Sequence, residues 1–251
     1  MYFQGNIKKH TEAEIKLFDE YGNFFDTSPI PTISKLQNFP KYIRRQDISR
    51  FLAKNELFKL QIHVPGVIVE GGSYLGGGTM TFAQLSSIYE PYNHTRKVIS
   101  FDTFEGFPRV SKNDNNQETT CKEGSLSTFR GIEEEIQKAI DLFDKNRPLS
   151  HIEKVELIKG DACEAIPKYI KENPHIVVSM LYLDFDIYEP TKVALEYFIP
   201  RIPRGGIIAF DELNTKNFPG ETLAVIEVLG LNRLKLKKTL FDPYISYAIM
   251  E

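Results

Sequence analysis

Only two cysteines, Cys121 and Cys163, occur in the 251 residues, and they lie far apart with no metal-ligand spacing. The pair fits a reduced, cytoplasmic protein better than a disulfide scaffold. Charge of one sign is not in excess. The formal net charge is -3, so nucleic-acid binding through phosphate contacts is not expected. No apolar run approaches the roughly 18 to 20 residues that cross a bilayer, so no membrane partner is expected either. The histidines, His10, His63, His94, His151 and His175, fall in no recognised motif. Internal repeats and long low-complexity segments are absent. The opening "MYFQG" resembles a protease-cleavage scar from recombinant expression, so residues 1–5 are set aside from fold reasoning.

What is present is ordinary in bulk and specific in pattern. Hydrophobic residues make up 41% and charged residues 26%, typical of a globular protein long enough for one large α/β domain or two small ones. Thr11 and Glu14 form a capping-box pattern that opens a helix, and Gly22 is expected to end it. Residues 47–60 carry apolar residues at helical spacing. Residues 6–64 thus read as an N-terminal helical extension before a main domain at 65–251.

In that domain short strands alternate with amphipathic helices. Strands are predicted at 66–70, 97–101, 154–159, 176–184 and 206–211, and helices at about 78–90, 132–145, 162–172, 189–199 and 219–230. This alternation describes a doubly wound, mostly parallel sheet covered on both faces. The tail holds two strand-like runs joined at Asp242-Pro243, an antiparallel hairpin at one edge. The polar stretch 109–131 lacks either period and reads as a lid over a site or as a surface insertion.

Ligands of open α/β sheets bind beyond the C-terminal ends of the parallel strands. Here each strand ends in an acid or has one close by: Glu70, Asp102, Asp161, Asp184 and Asp211. Taken singly, each reads as a solvated turn residue or a helix cap. Together they mark a rim.

The first strand runs into "EGGSYLGGGT". No frame supplies the glycine spacing of a dinucleotide loop, and Gly78 stands where a phosphate loop needs lysine. A glycine loop that lacks this lysine and follows an acid suits a zwitterionic nucleoside such as S-adenosylmethionine. Glu70 is expected to meet its amino-acid portion, directly or through water, with the backbone of Gly72 and Ser73. Asp102 would accept from the ribose hydroxyls and Asp161 would lie near the adenine amine.

Four stretches, "VIVEGGSYLGGGT", "SFDTFEGFP", "LIKGDACEAIP" and "LYLDFDIYEPTKVALEYFIPRIPRGGIIAFDE", resemble the macrocin and mycinamicin O-methyltransferase family. The resemblance runs from about Asp47 to Leu229. It implies a Rossmann-like class I methyltransferase fold with a seven-stranded sheet. It further implies S-adenosylmethionine as methyl donor, S-adenosylhomocysteine as product, Mg2+, and methylation of a sugar or glycoside hydroxyl in natural-product biosynthesis. A homo-oligomer is expected on the same ground. Tyr74, Gly76, Thr103, Phe104, Ala162 and Asp184 complete the expected cofactor contacts.

Paired acids at the end of a buried strand need a counter-charge, because buried unpaired carboxylates cost several kcal/mol. Oxygen donors without a His or Cys cluster point to magnesium, with calcium or manganese as relatives. The resemblance makes Asp184, Asp211 and Glu212 the ligands, with two adjacent substrate hydroxyls completing the shell. This chain has Asp211-Glu212 where the family has two Asp, and Asn214 is an alternative oxygen donor. Phe185 replaces a family glycine and is expected to pack inward, a bulkier pocket wall being the alternative. Asp186 is expected to be the general base, its other reading being the N-cap of the helix near Glu189. Tyr188 reads as substrate-shaping or as packing, and residues 41–45, "KYIRR", as a solvated basic turn or a cofactor or substrate contact. Two further readings stand beside methyl transfer: a metal-dependent hydroxylase or hydrolase on this scaffold, and a non-catalytic nucleoside-binding module.

Overall fold

The computed structural model describes residues 11–116 and 121–251. The cleavage-scar reading of residues 1–5 lies outside the described residues, as do residues 117–120 of the expected lid. The chain divides into two compact units between Leu52 and Ala53, twelve residues or so before the expected division at 64/65.

In the first unit, helix α1 (Glu12–Thr27) opens on a complete capping box: Glu14 N–H donates to Thr11 Oγ1 over 3.2 Å, and Thr11 N–H to Glu14 Oε2 over 2.8 Å. Gly22 does not end this helix. A single glycine inside a helix costs only about 1 kcal/mol, and the chain leaves helical geometry at Ser28, the residue that Pro29 forces out of it. Helix α2 (Thr32–Gln37) follows. The rings of Phe24 and Phe25 pack on Tyr42 at centroid distances of 5.2 and 5.5 Å. Arg44 lies 3.7 Å over the Phe18 ring and bonds to Asp47, so this part of the basic turn is committed locally. Helix α3 (Arg45–Gln61) begins here.

The second unit is a seven-stranded sheet. In chain order its elements are β1 (Val67–Gly71), α4 (Gly77–Tyr89), β2 (Val98–Asp102), α5 (Ile132–Lys145), β3 (Val155–Lys159), α6 (Ala162–Glu172), β4 (Val178–Leu183), α7 (Tyr188–Phe198), β5 (Ile207–Phe210), α8 (Pro219–Val228), β6 (Lys237–Lys238) and β7 (Ser246–Ile249). The spatial order is β3-β2-β1-β4-β5-β7-β6, with β7 antiparallel to both its neighbours. Strand order reverses between β1 and β4, the switch point where such sheets bind ligands.

Alternate residues of each strand feed opposite faces. Val67, Val69, Phe101, Leu181 and Leu183 pack with Ile166, Leu195 and Phe198 of α6 and α7. Ile68, Val98, Met180 and Tyr182 pack on the other face with Ala53, Leu57 and Phe58 of α3 and with Phe82. Burial of α3 from Ala53 onward is what places its C-terminal turns with the sheet.

Arg96 is 2% exposed, and its fork donates to Glu90 Oε2 (2.8 Å) and to the carbonyls of Val64 and Gly66 (2.8 Å each) and Ile62 (3.1 Å). It ties the end of α4 to the turn that enters β1. Burial pushes the Glu90 carboxyl up, but the bonds from Arg96 and Asn93 outweigh it and the net direction is down. Replacing Arg96 with Met leaves three carbonyls without this donor and Glu90 with only its Asn93 bond, so urea unfolding should show a loss of about 2–4 kcal/mol.

Candidate active site

Parallel pairing lays the ends of four strands side by side. Gly71 pairs with Phe101 and Leu183, and Leu183 with Phe210. The ladder runs one residue further: Gly72 N–H donates to Phe101 O (2.9 Å), Asp184 N–H to Gly71 O (2.8 Å) and Asp211 N–H to Leu183 O (3.0 Å). Asp102, Gly72, Asp184 and Asp211 therefore form one row across the sheet. One pleat earlier Ser100, Glu70, Tyr182 and Ala209 form a second row on the same face.

Gly72 has φ +90°, and a Cβ there would sit 2.0 Å from the Asp184 carbonyl oxygen. Only glycine permits this approach. At Gly71 a Cβ would meet the Phe185 ring at 2.3 Å. Phe185 is buried in the core, its ring filling the space that Gly71 leaves open, so it packs inward.

Glu70 is buried and accepts hydrogen bonds from Thr79 Oγ1 and from Ser100 Oγ, the latter at 3.1 Å. Burial pushes its carboxyl up, while Lys54, Thr79 and Ser100 oppose the shift. Ser73 Oγ is hydrogen-bonded to Ser100 Oγ. Asp102 accepts the amides of Tyr74 (2.8 Å) and Phe104 (2.6 Å), and burial again raises it against those bonds. Thr103 Oγ1 bonds to Gly106 O at 2.6 Å and closes the turn that follows. Gly76 stands at the N-cap of α4 with φ +80°.

Asp161 caps α6 through Cys163 N–H at 2.9 Å and pairs with Arg109 of the expected lid, while Ala162 is buried at the first helical position. Its cap role is thus occupied in this structure. Cys163, pushed up to about 12 chiefly by burial and by Asp161, is a neutral thiol.

Asp186 lies past β4 with φ +65°. It is not the N-cap of α7. Ile187 occupies that position, and the Tyr188 amide donates instead to Asp114 Oδ1 at 2.6 Å. Asp114 is buried in the 109–131 segment, where its Oδ2 closes a capping box with Ser111. Tyr188 is packing: its ring joins the core and its hydroxyl donates to Glu227. Left-handed non-glycine residues follow four strands on this rim, namely Tyr74, Phe104, Asp186 and Asn214. Such conformations cluster at functional sites.

Asp211 is buried and its Oδ1 accepts from Tyr182 O–H at 2.5 Å, while Tyr182 accepts from Lys54 Nζ at 3.0 Å. Glu212 N–H donates to Glu221 Oε1 at 2.9 Å, and the exposed Asn214 donates its amide to Thr222. Glu221 is fully buried, and its Oε2 has no hydrogen-bond partner among the described residues. Burial first, then Asp211, Asp184 and Asp186, push its carboxyl well above the usual range against the Glu212 amide. The oxygen donors and this orphaned atom suit a hard cation. Yet among the described residues no three His, Cys, Asp or Glu side chains gather closely enough to hold a metal ion. The expected ligands share a rim but do not form a closed cluster.

Near this rim, the buried charged residues Asp114, Lys54 and Glu221 escaped sequence reading. Asp114 carried a signal in the capping-box spacing of Ser111 and Asp114. Lys54 carried one in lying three and four residues before the apolar Leu57 and Phe58. Glu221 looked like an ordinary acid of a helix's first turn.

The sheet order and this rim are those of a class I methyltransferase, a Rossmann-like fold. A family model described as macrocin-O-methyltransferase (TylF) matches residues 53–225, more than half of the chain, and the chain belongs to that family. The crystal structure of CalS11, a calicheamicin methyltransferase, superposes with a TM-score of 0.92 at 33% identity, covering 98% of this chain and 97% of that one. The apo structure of CalS11, described as a TDP-rhamnose 3'-O-methyltransferase, gives 0.84 at 31% identity over 98% of this chain and 99% of that one. A 4'-O-methyltransferase of Streptomyces olivaceus, acting on a dimethoxyrhamnosyl tetracenomycin, is 27% identical over 59% of this chain. The matching stretch spans about half, 53%, of that relative's length. Among the described residues no helix is long and apolar enough to cross a membrane.

Asp114→Ala removes the acceptor of a buried amide, so denaturant unfolding should lose about 1–3 kcal/mol. Asp114→Asn keeps a carbonyl oxygen and should lose less. Equal stability of wild type and the alanine variant would contradict the capping role.

Proposed function

We propose that the chain transfers a methyl group from S-adenosylmethionine to a hydroxyl of a sugar or glycosylated small molecule bearing a vicinal diol. The observation that carries this is the row Asp102–Gly72–Asp184–Asp211: a ribose-type acid, a glycine turn and two further acids on one rim of a chain of this family. The sugar acceptors in the names of CalS11 and the Streptomyces enzyme support the substrate class.

In this reading Gly72, Ser73, Tyr74 and Gly76 offer backbone to the cofactor. Glu70 faces its amino-acid portion from beneath, through the hydroxyl shell that buries it. Asp102 keeps lone pairs for the ribose beyond the two amides it accepts. Thr103 and Phe104 shape the adjoining turn, and Asp161 with Ala162 borders the adenine. The acceptor oxygen attacks the methyl carbon in line as the carbon–sulfur bond breaks, and S-adenosylhomocysteine leaves. Asp186, held in its left-handed turn, takes the hydroxyl proton. Asp184, Asp211 and Glu212 are the residues that would hold magnesium, which when bound lowers the pKa of a coordinated hydroxyl. Glu221 stands behind them as the buried acid fixing the Glu212 amide. Cytoplasmic location and assembly into homo-oligomers belong to the same proposal.

Titration calorimetry should show binding of S-adenosylmethionine and S-adenosylhomocysteine; no heat with either at millimolar concentration would end the reading. A screen of nucleotide sugars and glycosides, scored by methyl transfer, should then find an acceptor, whereas cofactor binding without any turnover would favour a non-catalytic module. With that acceptor, Asp186→Asn should lose about a hundredfold or more in turnover. Asp184→Asn and Asp211→Asn should abolish magnesium-dependent turnover with cofactor affinity largely kept. Full activity in excess chelator would remove the metal.

A further inference from the structure

Lys54 reaches the sheet from α3, one of its most buried positions, at 5% exposure. Its ammonium lies 4.3 Å from the Tyr182 ring centroid and 5.9 Å from that of Phe82, and it donates to Tyr182 O–H. Tyr182 and Glu70 are register partners on adjacent strands, facing the same side. A second geometric fact puts Lys54 against Glu70 as well. The vacant Cβ position of Gly78 is 1.9 Å from Glu70 Oε1 and 3.2 Å from Lys54 Cε. Carboxylate and lysine stem thus meet over Gly78 of α4, which has no side chain to separate them.

We propose that Lys54 is a positioning residue for the cofactor: it supplies the buried positive charge that keeps Glu70 an anion beneath the amino-acid portion of S-adenosylmethionine. The inference rests on the proposed cofactor and extends it to a residue outside the glycine loop. A carboxylate stripped of water is stable as an anion only beside a cation or strong donors. Those facing Glu70 are Lys54 from α3, Thr79 from α4 and Ser100 from β2; Asp102, also on β2, acts against ionisation. Two hydroxyls donate hydrogen bonds but carry no charge, so Lys54 is the group whose removal shifts the balance. Tyr182 accepts from the ammonium and donates its own hydrogen bond to Asp211.

The sign is fixed by the chemistry. An ionised Glu70 favours the ligand's ammonium, so affinity is present above the Glu70 pKa and lost as pH falls through it. Removing Lys54 moves that loss to higher pH. The test is calorimetric titration of the full chain with S-adenosylhomocysteine between pH 6 and 8.5, on wild type, Lys54→Gln, the near-isosteric Lys54→Met and Lys54→Arg. The neutral variants should bind about tenfold more weakly at the acid end, with the gap closing toward the alkaline end. Lys54→Arg should stay within about threefold. In a Glu70→Gln background, Lys54→Gln should change affinity by less than about twofold, a non-additivity that a purely structural lysine would not produce. Wild-type affinity and pH profile in whichever neutral variants fold, or the same loss in both backgrounds, would overturn the role of Lys54 alone. A wild-type chain that binds no S-adenosylhomocysteine would instead overturn the cofactor reading and this inference with it.

Discussion

At the C-terminal ends of β2, β1, β4 and β5 the parallel ladder sets Asp102, Gly72, Asp184 and Asp211 in one line, with Glu70 one pleat below. Negative charge is thereby forced together by backbone pairing, before any side chain chooses a rotamer. Everything near the rim answers that concentration. Asp102 takes two amides, Asp161 a helix amide and Arg109, and Asp114 the first amide of α7. Glu70 takes hydroxyls and Lys54, and Asp211 takes the Tyr182 hydroxyl. Glu221 keeps one buried oxygen that has no hydrogen-bond partner among the described residues. A positive ligand is the natural complement of such a rim, whether a sulfonium, an ammonium or a divalent ion.

The sheet was legible because buried parallel strands read as short apolar runs and their helices as amphipathic ones. Helices α5 and α6 begin and end where periodicity put them, at 132–145 and 162–172. Gly22 misled because glycine marks a helix end only when a left-handed turn follows it, and none does. The rim acids were legible as a class, since each lies at or within two residues of a strand's C-terminal end. Their partners were not, because pairing there is long-range. Asp114 meets Tyr188, 74 positions along the chain, and Lys54 meets Tyr182 across 128. No local pattern carries such distances.

The same long-range logic explains the substitution at Phe185. The expectation of an inward ring rested on strand alternation alone. What accommodates the ring is Gly71, two strands' ends meeting as one vacant side chain against one large one. The space open at Gly71 lets the large ring pack without displacing its neighbours. The backbone of Asp184 and Asp186 on either side can then keep its course on the rim.

Loops that cradle phosphates carry a lysine near the end of the glycine run, its charge directed at the ligand. Here that place is Gly78, and the absent side chain admits the Glu70 carboxylate to within 1.9 Å of where a Cβ would be. A lysine there would have displaced the acid and turned the loop toward anions. The positive charge comes instead from α3, where Lys54 donates to Tyr182 and acts electrostatically on Glu70. In the proposed function, moving one cation from the ligand side to the protein side of a glycine loop leaves a negative floor under the cofactor's amino-acid end. Under the proposed function, this is why the loop, on a sheet built like those that bind dinucleotides, suits a positively charged nucleoside better than a triphosphate.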